Sequence, residues 1–241
     1  MKAILCGANG AMGKLIDGIL GSQVTARVSL DGENGVARTF DELAPNNAEI
    51  IIDFSHHTAI ADVMSYAKAH DCAVVVGTTG HTAEEKALIQ EAARELPVFF
   101  SGNMSLGIAV LCRLAKEAAK WFPDADIEIV EVHHNRKVDA PSGTAHMLFH
   151  AIAQVRPEAV ENCGRAGEGK RTKNEIGISS LRMGNVVGIH EVHICTGNQT
   201  LTLRHEAGNR GMLAEGAVEA ARFLLGKPKG LYNMDDLLEG K

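Results

Sequence analysis

From residue 131 to residue 145 the chain reads Glu-Val-His-His-Asn-Arg-Lys-Val-Asp-Ala-Pro-Ser-Gly-Thr-Ala. Two imidazoles, His133 and His134, and the ammonium of Lys137 stand at the end of an apolar run, and Ser142, Gly143 and Thr144 stand where a helix is predicted to start. Histidine titrates near neutrality and a desolvated lysine releases its proton more readily, so both side chains can donate a proton to a reacting atom. A serine at a helix N-cap leaves the following backbone N–H groups, here those of Gly143 and Thr144, able to point at an anion. Cations beside a helix N-terminus make a carboxylate site. A bare His-His-Asn-Arg-Lys run is more often a solvated loop, and the Pro-Ser-Gly-Thr that follows is what favours a site here.

A second constellation opens the chain. Ile4-Leu5-Cys6 leads into Gly7-Ala8-Asn9-Gly10-Ala11-Met12-Gly13, a loop between a predicted strand and a predicted helix. Glycines let the backbone turn sharply and approach a pyrophosphate, while the helix start supplies N–H donors. Asn9 replaces the second glycine of the usual dinucleotide loop, and asparagine tolerates the left-handed turn. Asp31 lies 21 residues after Gly10, at the end of the second predicted strand, where an acid accepts hydrogen bonds from the adenosine ribose. Gly32 and Glu33 follow with no adjacent arginine for a 2′-phosphate, so NADH is expected to bind at least as well as NADPH, although Arg38 could swing in. Gly77-Thr78-Thr79-Gly80 and Ser101-Gly102-Asn103-Met104-Ser105 each follow a predicted strand, at the sheet edge where a nicotinamide would rest.

These segments need elements to hold them. The first hundred residues alternate apolar strands (3–6, 25–30, 49–54, 73–76, 97–100) with helical stretches (12–20, 59–70 and, from the Thr82/Glu85 capping box, to about 95). Continuous apolar strands between helices indicate a parallel sheet covered on both faces. The pattern then changes to a helix over 106–121, a strand over 126–133 and a helix over 143–155. Residues 156–175 read as a mobile polar loop, followed by three antiparallel strands (176–183, 186–195, 200–205) turning at Gly184-Asn185 and Thr196-Gly197-Asn198, and a last helix over 212–225. The predicted fold is α/β: a Rossmann-like dinucleotide-binding domain of residues 1–104 plus 213–241, with an inserted mixed αβ substrate-binding and oligomerisation domain of residues 105–212.

Composition narrows the classes. With 24 basic against 30 acidic residues the net charge is −6, and aromatics make up 4%, which disfavours nucleic-acid binding. No apolar stretch is long enough to span a bilayer, and the residues before the glycine loop are too few for a signal segment, so a cytoplasmic protein without membrane association is expected. The five cysteines contain no C-x-x-C. His146 and His150 lack a third ligand at a metal-motif spacing, so no metal is expected. His190 and His193 face opposite sides of one strand, and one of them could approach a substrate; His56 and His57 read as surface or loop residues, and Arg210 is unassigned.

The run E-x-H-H-x-x-K-x-D-x-P-S-G-T-A resembles the signature of the dihydrodipicolinate reductase family. Asp53-Phe54-Ser55, the Gly-Thr-Thr-Gly loop, Asn103-Met104-Ser105 and Ala214-Glu215-Gly216-Ala217 agree with it in order, so the resemblance runs end to end. It implies an NAD(P)H-dependent oxidoreductase of the diaminopimelate route to lysine, acting on a small dicarboxylated heterocycle and assembling as a homotetramer. It implies that Gly7, Ala8, Asn9, Gly10, Ala11 and Met12 hold the pyrophosphate and Asp31 the ribose. Gly77, Thr78 and Thr79, with Ser101, Gly102, Asn103 and Met104, would flank the nicotinamide. His133 and Lys137 would transfer protons, and His134, Lys137, Ser142, Gly143 and Thr144 would bind substrate carboxylates. Gly32 departs from the arginine some members place after the ribose acid, and Met104 from an aromatic residue some carry beside the nicotinamide. Two other readings are a different two-domain NAD(P)-dependent dehydrogenase and a non-catalytic sensor of nicotinamide cofactor; neither needs the His-His-Asn-Arg-Lys block.

Overall fold

Four-residue runs of wholly buried side chains, Ala-Ile-Leu-Cys, Ile-Ile-Ile-Asp and Ala-Val-Val-Val, set the first sheet. With no polar face to offer water, such strands are stable only with helices on both sides. The computed structural model describes residues 1–44 and 47–240, and the chain divides into two compact units, Met1–Leu106 with Gly211–Lys241, and Gly107–Arg210.

The first unit runs β1 (Ala3–Cys6), α1 (Ala11–Leu20), β2 (Val24–Val28), β3 (Ile50–Asp53), α2 (Ile60–His70), β4 (Ala73–Val76), α3 (Ala83–Ala92) and β5 (Pro97–Phe100). The second runs from α4 (Leu106–Trp121) through β6 (Asp126–His133), α5 (Gly143–Ala153), β7 (Val160–Cys163), β8 (Glu175–Arg182) and β9 (Ile189–Cys195) to β10 (Thr200–Glu206). The chain then returns to the first unit with α6 (Gly211–Leu224), β11 (Gly230–Tyr232) and α7 (Met234–Glu239). The first sheet has the order β11-β5-β4-β3-β1-β2 with every pairing parallel, the Rossmann-like sheet expected from the sequence. Ile4, Ile51, Val74 and Val98 form its core with Ile60 and Val63 of α2 and Ile89 of α3. Thr82 caps α3 through the capping box with Glu85.

The second sheet has the order β10-β9-β6-β8-β7. Ile127, Ile129, Ile176, Ile178, Val192 and Ile194 alternate onto one face, against Leu111 and Ala115 of α4 and Leu148 and Ile152 of α5. Two expectations are corrected here. The three strands after residue 175 are not a meander: β6 lies between β8 and β9, parallel to the first and antiparallel to the second. The Gly184-Asn185 turn therefore crosses the end of β6, where Met183 N–H donates to the His133 carbonyl and Asn135 N–H to that of Gly184. Residues 156–175 are also not all loop, because β7 pairs in parallel with β8 at the sheet edge. Its Val-Glu-Asn-Cys sequence has no buried residue, which is why no apolar alternation announces it. Strand β11 and helix α7, started by an Asn233/Asp236 capping box, are additions to the predicted elements. Among the described residues no helix is long and apolar enough to cross a membrane.

Helix α6 is tuned to close approach. A Cβ on Gly216 would overlap the carbonyl oxygen of Met104, a backbone atom that cannot rotate away. Gly216→Ala is expected to destabilise the first unit by about 1–3 kcal/mol, the usual range for overpacking, and a thermal unfolding scan against the parent protein checks it.

Candidate active site

In the first unit the site grows from the carboxyl ends of the parallel strands. Gly7 follows β1 in the left-handed region (φ +76°), and its N–H donates to the Val28 carbonyl at 2.8 Å. A Cβ on Gly7 would overlap the backbone carbonyl of Phe54, and one on Gly13 would overlap that of Gly7, so this turn admits only glycine at both places. Helix α1 starts after Gly10, and no side chain caps its first turn. Asn9 answers its unusual position by bridging to the end of β2: its Nδ2 donates to Asp31 Oδ1 at 2.5 Å and to the Glu33 carbonyl at 3.3 Å. That hydrogen bond is the main cause holding the exposed Asp31 carboxyl below its ordinary value. Gly32, also left-handed, lies directly under the Arg38 side chain, which fills the space a Cβ would take.

Two cavities lie along this edge. One, of about 490 Å³, is lined by Gly7, Ser29, Leu30, Arg38, Ser55 and Tyr66 among others. The other, of about 440 Å³, brings together Met12, Phe54, Gly77, Thr78, Thr79, Gly102, Asn103 and Met104. Ala8, Asn9, Gly10, Ala11 and Asp31 line neither, and form the turn and strand end beside them. Ser101 does not line the second cavity, but its hydroxyl donates at 2.7 Å to the carbonyl of Asn103, which does. Buried Asp53 ties two of the loops together, accepting from Ser55 Oγ at 2.5 Å and Thr78 Oγ1 at 2.7 Å. Burial raises its carboxyl's pKa, while those two hydroxyls oppose the rise. His56 and His57, expected on the surface or in a loop, also line the second cavity, and His57 Nδ1 lies 2.9 Å from Glu85.

In the second unit the site is assembled around a carboxylate, Glu131, to which the sequence alone assigns no role. Period-two alternation puts Glu131 and His133 on the same face of β6, and Glu131 is fully buried there. Its Oε2 is 2.5 Å from His133 Nδ1, and its Oε1 accepts the Ser142 N–H at 3.1 Å. Arg182, at the end of β8, binds both oxygens at 2.9 and 2.7 Å and also donates to the Asp139 carbonyl at 2.7 Å. Burial opposes ionisation of Glu131, but the hydrogen bonds from Arg182 and His133 outweigh it and bring the carboxyl down to about 2.

Ser142 is the N-cap of α5, its hydroxyl accepting from Ala145 N–H at 3.2 Å, and Gly143 and Thr144 form the first two residues of that helix. Lys137 Nζ is clamped by Asp139 at 2.8 and 2.9 Å. His134 is half-buried; desolvation, then Arg136 and Arg210, hold it below the ordinary histidine value, and its Nδ1 is buried with no hydrogen-bond partner among the described residues. Of the two histidines on β9, His190 is the inward one. It stands edge-on to His133 at 5.1 Å with Nε2 3.3 Å from Ser142 Oγ, and burial, then His133, pushes its pKa down to about 4. His193 turns the other way, to Glu191 and Thr202. His146 pairs with Glu161 at 2.8 Å, and among the described residues no three His, Cys, Asp or Glu side chains are grouped to hold a metal.

The second unit thus gathers His133, Lys137 and Ser142 around Glu131 and Arg182, a set suited to donating protons and binding anions. Comparison with known proteins gives this arrangement its family. Residues 1–104 match the model of the dihydrodipicolinate reductase N-terminus, and residues 107–238 that of its C-terminus. The 4-hydroxy-tetrahydrodipicolinate reductase of Caldanaerobacter subterraneus subsp. tengcongensis is 42% identical over 99% of this chain and 98% of its own length. That of Alkaliphilus metalliredigens is 40% identical over 99% of both chains. The solved structure of a dipicolinate-bound dihydrodipicolinate reductase from Paenisporosarcina sp. TG-14 has the same fold, with a TM-score of 0.77 and 22% identity over 97% of each chain. From its glycine loop to its last helix, the chain belongs to the dihydrodipicolinate reductase family.

Proposed function

We propose that the chain reduces (2S,4S)-4-hydroxy-2,3,4,5-tetrahydrodipicolinate to (S)-2,3,4,5-tetrahydrodipicolinate with a nicotinamide cofactor. The observation that carries this reading is the buried Glu131 carboxylate seating His133 at the foot of the loop that bears Lys137. That loop leads into a helix start at Ser142, so proton donors and anion-binding groups lie on one short stretch of chain. The substrate is a dicarboxylate, and in this reading His134, Lys137, Ser142, Gly143 and Thr144 bind its two carboxylates through charge-assisted and backbone hydrogen bonds.

The first unit fits a dinucleotide. Gly7 and Gly13 let the turn after β1 close tightly, since a Cβ at either would overlap backbone, and the first turn of α1 has no side-chain cap, as a pyrophosphate-binding loop requires. Gly7, Ala8, Asn9, Gly10, Ala11 and Met12 would hold the pyrophosphate. Asp31, fixed by Asn9, would receive the ribose, and the loops at Gly77–Thr79 and Ser101–Met104 would flank the nicotinamide. When bound, the reduced nicotinamide supplies the hydride. Loss of the C4 hydroxyl as water leaves a C4=C5 double bond conjugated with the ring imine; as C4 is reduced, electron density builds through the C5=C6 enamine, and His133 and Lys137 stabilise it and return a proton to C5. The test is oxidation of NADH by the purified protein with substrate generated in place from pyruvate and aspartate semialdehyde by the preceding synthase. Synthase-dependent oxidation supports the reading, and its absence with cofactor binding intact overturns it.

Both cofactors are expected to serve. Asp31-Gly32 suits the free ribose of NADH, while Arg38, packed over Gly32 and in no ion pair with a described carboxylate, offers a cation to the 2′-phosphate of NADPH. Arg38→Gln is expected to weaken NADPH binding by about 10-fold, the worth of one charge-assisted contact, and to leave NADH within about twofold. Calorimetric titration with each cofactor measures the two values.

A further inference from the structure

Glu131 lies out of reach of water, yet its hydrogen bonds with His133, Ser142 and Arg182 all end on part of the site described above. On one oxygen it meets His133 Nδ1; on the other it meets the N-cap amide of α5; and through Arg182 it reaches the Asp139 carbonyl in the loop that carries Lys137. A buried carboxylate of this kind is costly to ionise without full pairing, and here the pairing is complete. A glutamine would fill the same volume but could not serve two donors on each side. The charge is therefore needed for the arrangement.

We propose that Glu131 is the positioning residue of the proton-transfer step, fixing Nδ1 of His133 as the nitrogen that keeps its hydrogen and so making Nε2 the nitrogen that meets the substrate. This rests on the reductase reading above for the identity of the step, though not for the state of the ring. An ionised carboxylate can only accept, so the ring nitrogen facing it must carry a hydrogen, and the other nitrogen is then the one that exchanges a proton. Nε2 faces the backbone of Gly188, where a Cβ would come within 3.2 Å of it, so the absence of a side chain at this residue keeps that nitrogen uncovered.

His190 adds to the arrangement: its depressed pKa leaves it uncharged at neutral pH, and it does not repel a protonated His133. In the transfer itself the Nε2–H bond of the imidazolium breaks and its electron pair stays on the ring. The proton passes to the substrate carbon, Nδ1–H remains on Glu131, and water restores the Nε2 proton.

The ring nitrogens can be read directly. With ¹⁵N-histidine label, and His133 assigned from the His133→Asn spectrum, the neutral ring of the parent protein is expected to show the Nδ1–H tautomer with Nε2 bare. Glu131→Gln is expected to shift the tautomer towards Nε2–H and to lower kcat by about 30-fold, with substrate KM within about threefold. A role confined to packing would raise KM and lower thermal stability while leaving the tautomer as it was. An Nε2–H tautomer in the parent protein overturns the proposal, and this result does not depend on the variant folding. An unchanged tautomer and kcat in Glu131→Gln overturns it as well. Because the spectrum needs neither substrate nor cofactor, its failure is distinct from a failure of the synthase-coupled assay.

Discussion

Lys137→Ala is expected to lower kcat/KM by about a thousandfold, through a fall in kcat and a rise in KM. The lysine is half-buried, and its ammonium is bound to Asp139 at 2.8 and 2.9 Å, within a loop pinned by the Lys137 N–H to His134 carbonyl bond and by Arg182 on the Asp139 carbonyl. In the proposed reading alanine removes a cation that binds a substrate carboxylate, worth about 1.5–3 kcal/mol for a charged hydrogen bond, together with one of two proposed proton-transfer groups. It also leaves Asp139, whose carboxyl Lys137 holds below its ordinary value, without its ammonium partner. Lys137→Arg separates the two roles. Arginine restores the cation but does not give up a proton, so KM should recover while kcat stays low. Steady-state kinetics of both variants check this, and an undiminished kcat in Lys137→Ala would remove the lysine from the chemistry.

The second large effect is on stability in acid. His190 has a depressed pKa, about 4 against an ordinary 6.5, because burial disfavours its charged form. Above pH 6.5 it is neutral in folded and unfolded chains alike and has no effect. As pH falls from 6.5 to 4 the unfolded chain takes up the proton first, and folding is penalised by on the order of 3 kcal/mol. Glu131 is depressed from an ordinary 4.5 to about 2. Its contribution, also on the order of 3 kcal/mol, is fully present above pH 4.5 and is lost as pH falls towards 2. Stability of the second unit should therefore fall in two successive windows, the first set by His190 and the second by Glu131. Urea unfolding at pH 7, 5 and 3 measures the fall, and His190→Gln should flatten the upper window while leaving the lower one.

What could be read from sequence was what depends on local pattern. The all-apolar strands Ala3–Cys6 and Ala73–Val76, the Thr82/Glu85 capping box and the glycine loop carry their own signals, and each stands in the structure where the pattern put it. Strands whose place is fixed by partners far along the chain were read less well. The insertion of β6 between β8 and β9 depends on pairings across about fifty to seventy residues of chain, and no turn signal records it. Edge strands β7 and β11 bury too little to show a period.

The candidate site follows the same division. His133, Lys137 and Ser142 were visible because they crowd into one segment, whereas their organiser was not. Glu131 could have been found from its same-face spacing with His133, but Arg182 lies 51 residues away and Asn9 meets Asp31 across 22, contacts that no local rule supplies. The sequence offers His190 and His193 alike, and only the pleat of β9 places His190 beside His133.

In the proposed reaction the chain directs a hydride from nicotinamide to C4 of the dicarboxylated ring while its own side chains place a proton on C5. The most direct measurement is isotope tracing: NADH dideuterated at the nicotinamide C4, synthase-generated substrate, and mass and NMR analysis of the product. One deuterium is expected at C4 of tetrahydrodipicolinate from the cofactor, and in a separate run in heavy water solvent-derived deuterium at C5. Cofactor deuterium at any other carbon, or none in the product while NADH is consumed, would contradict it.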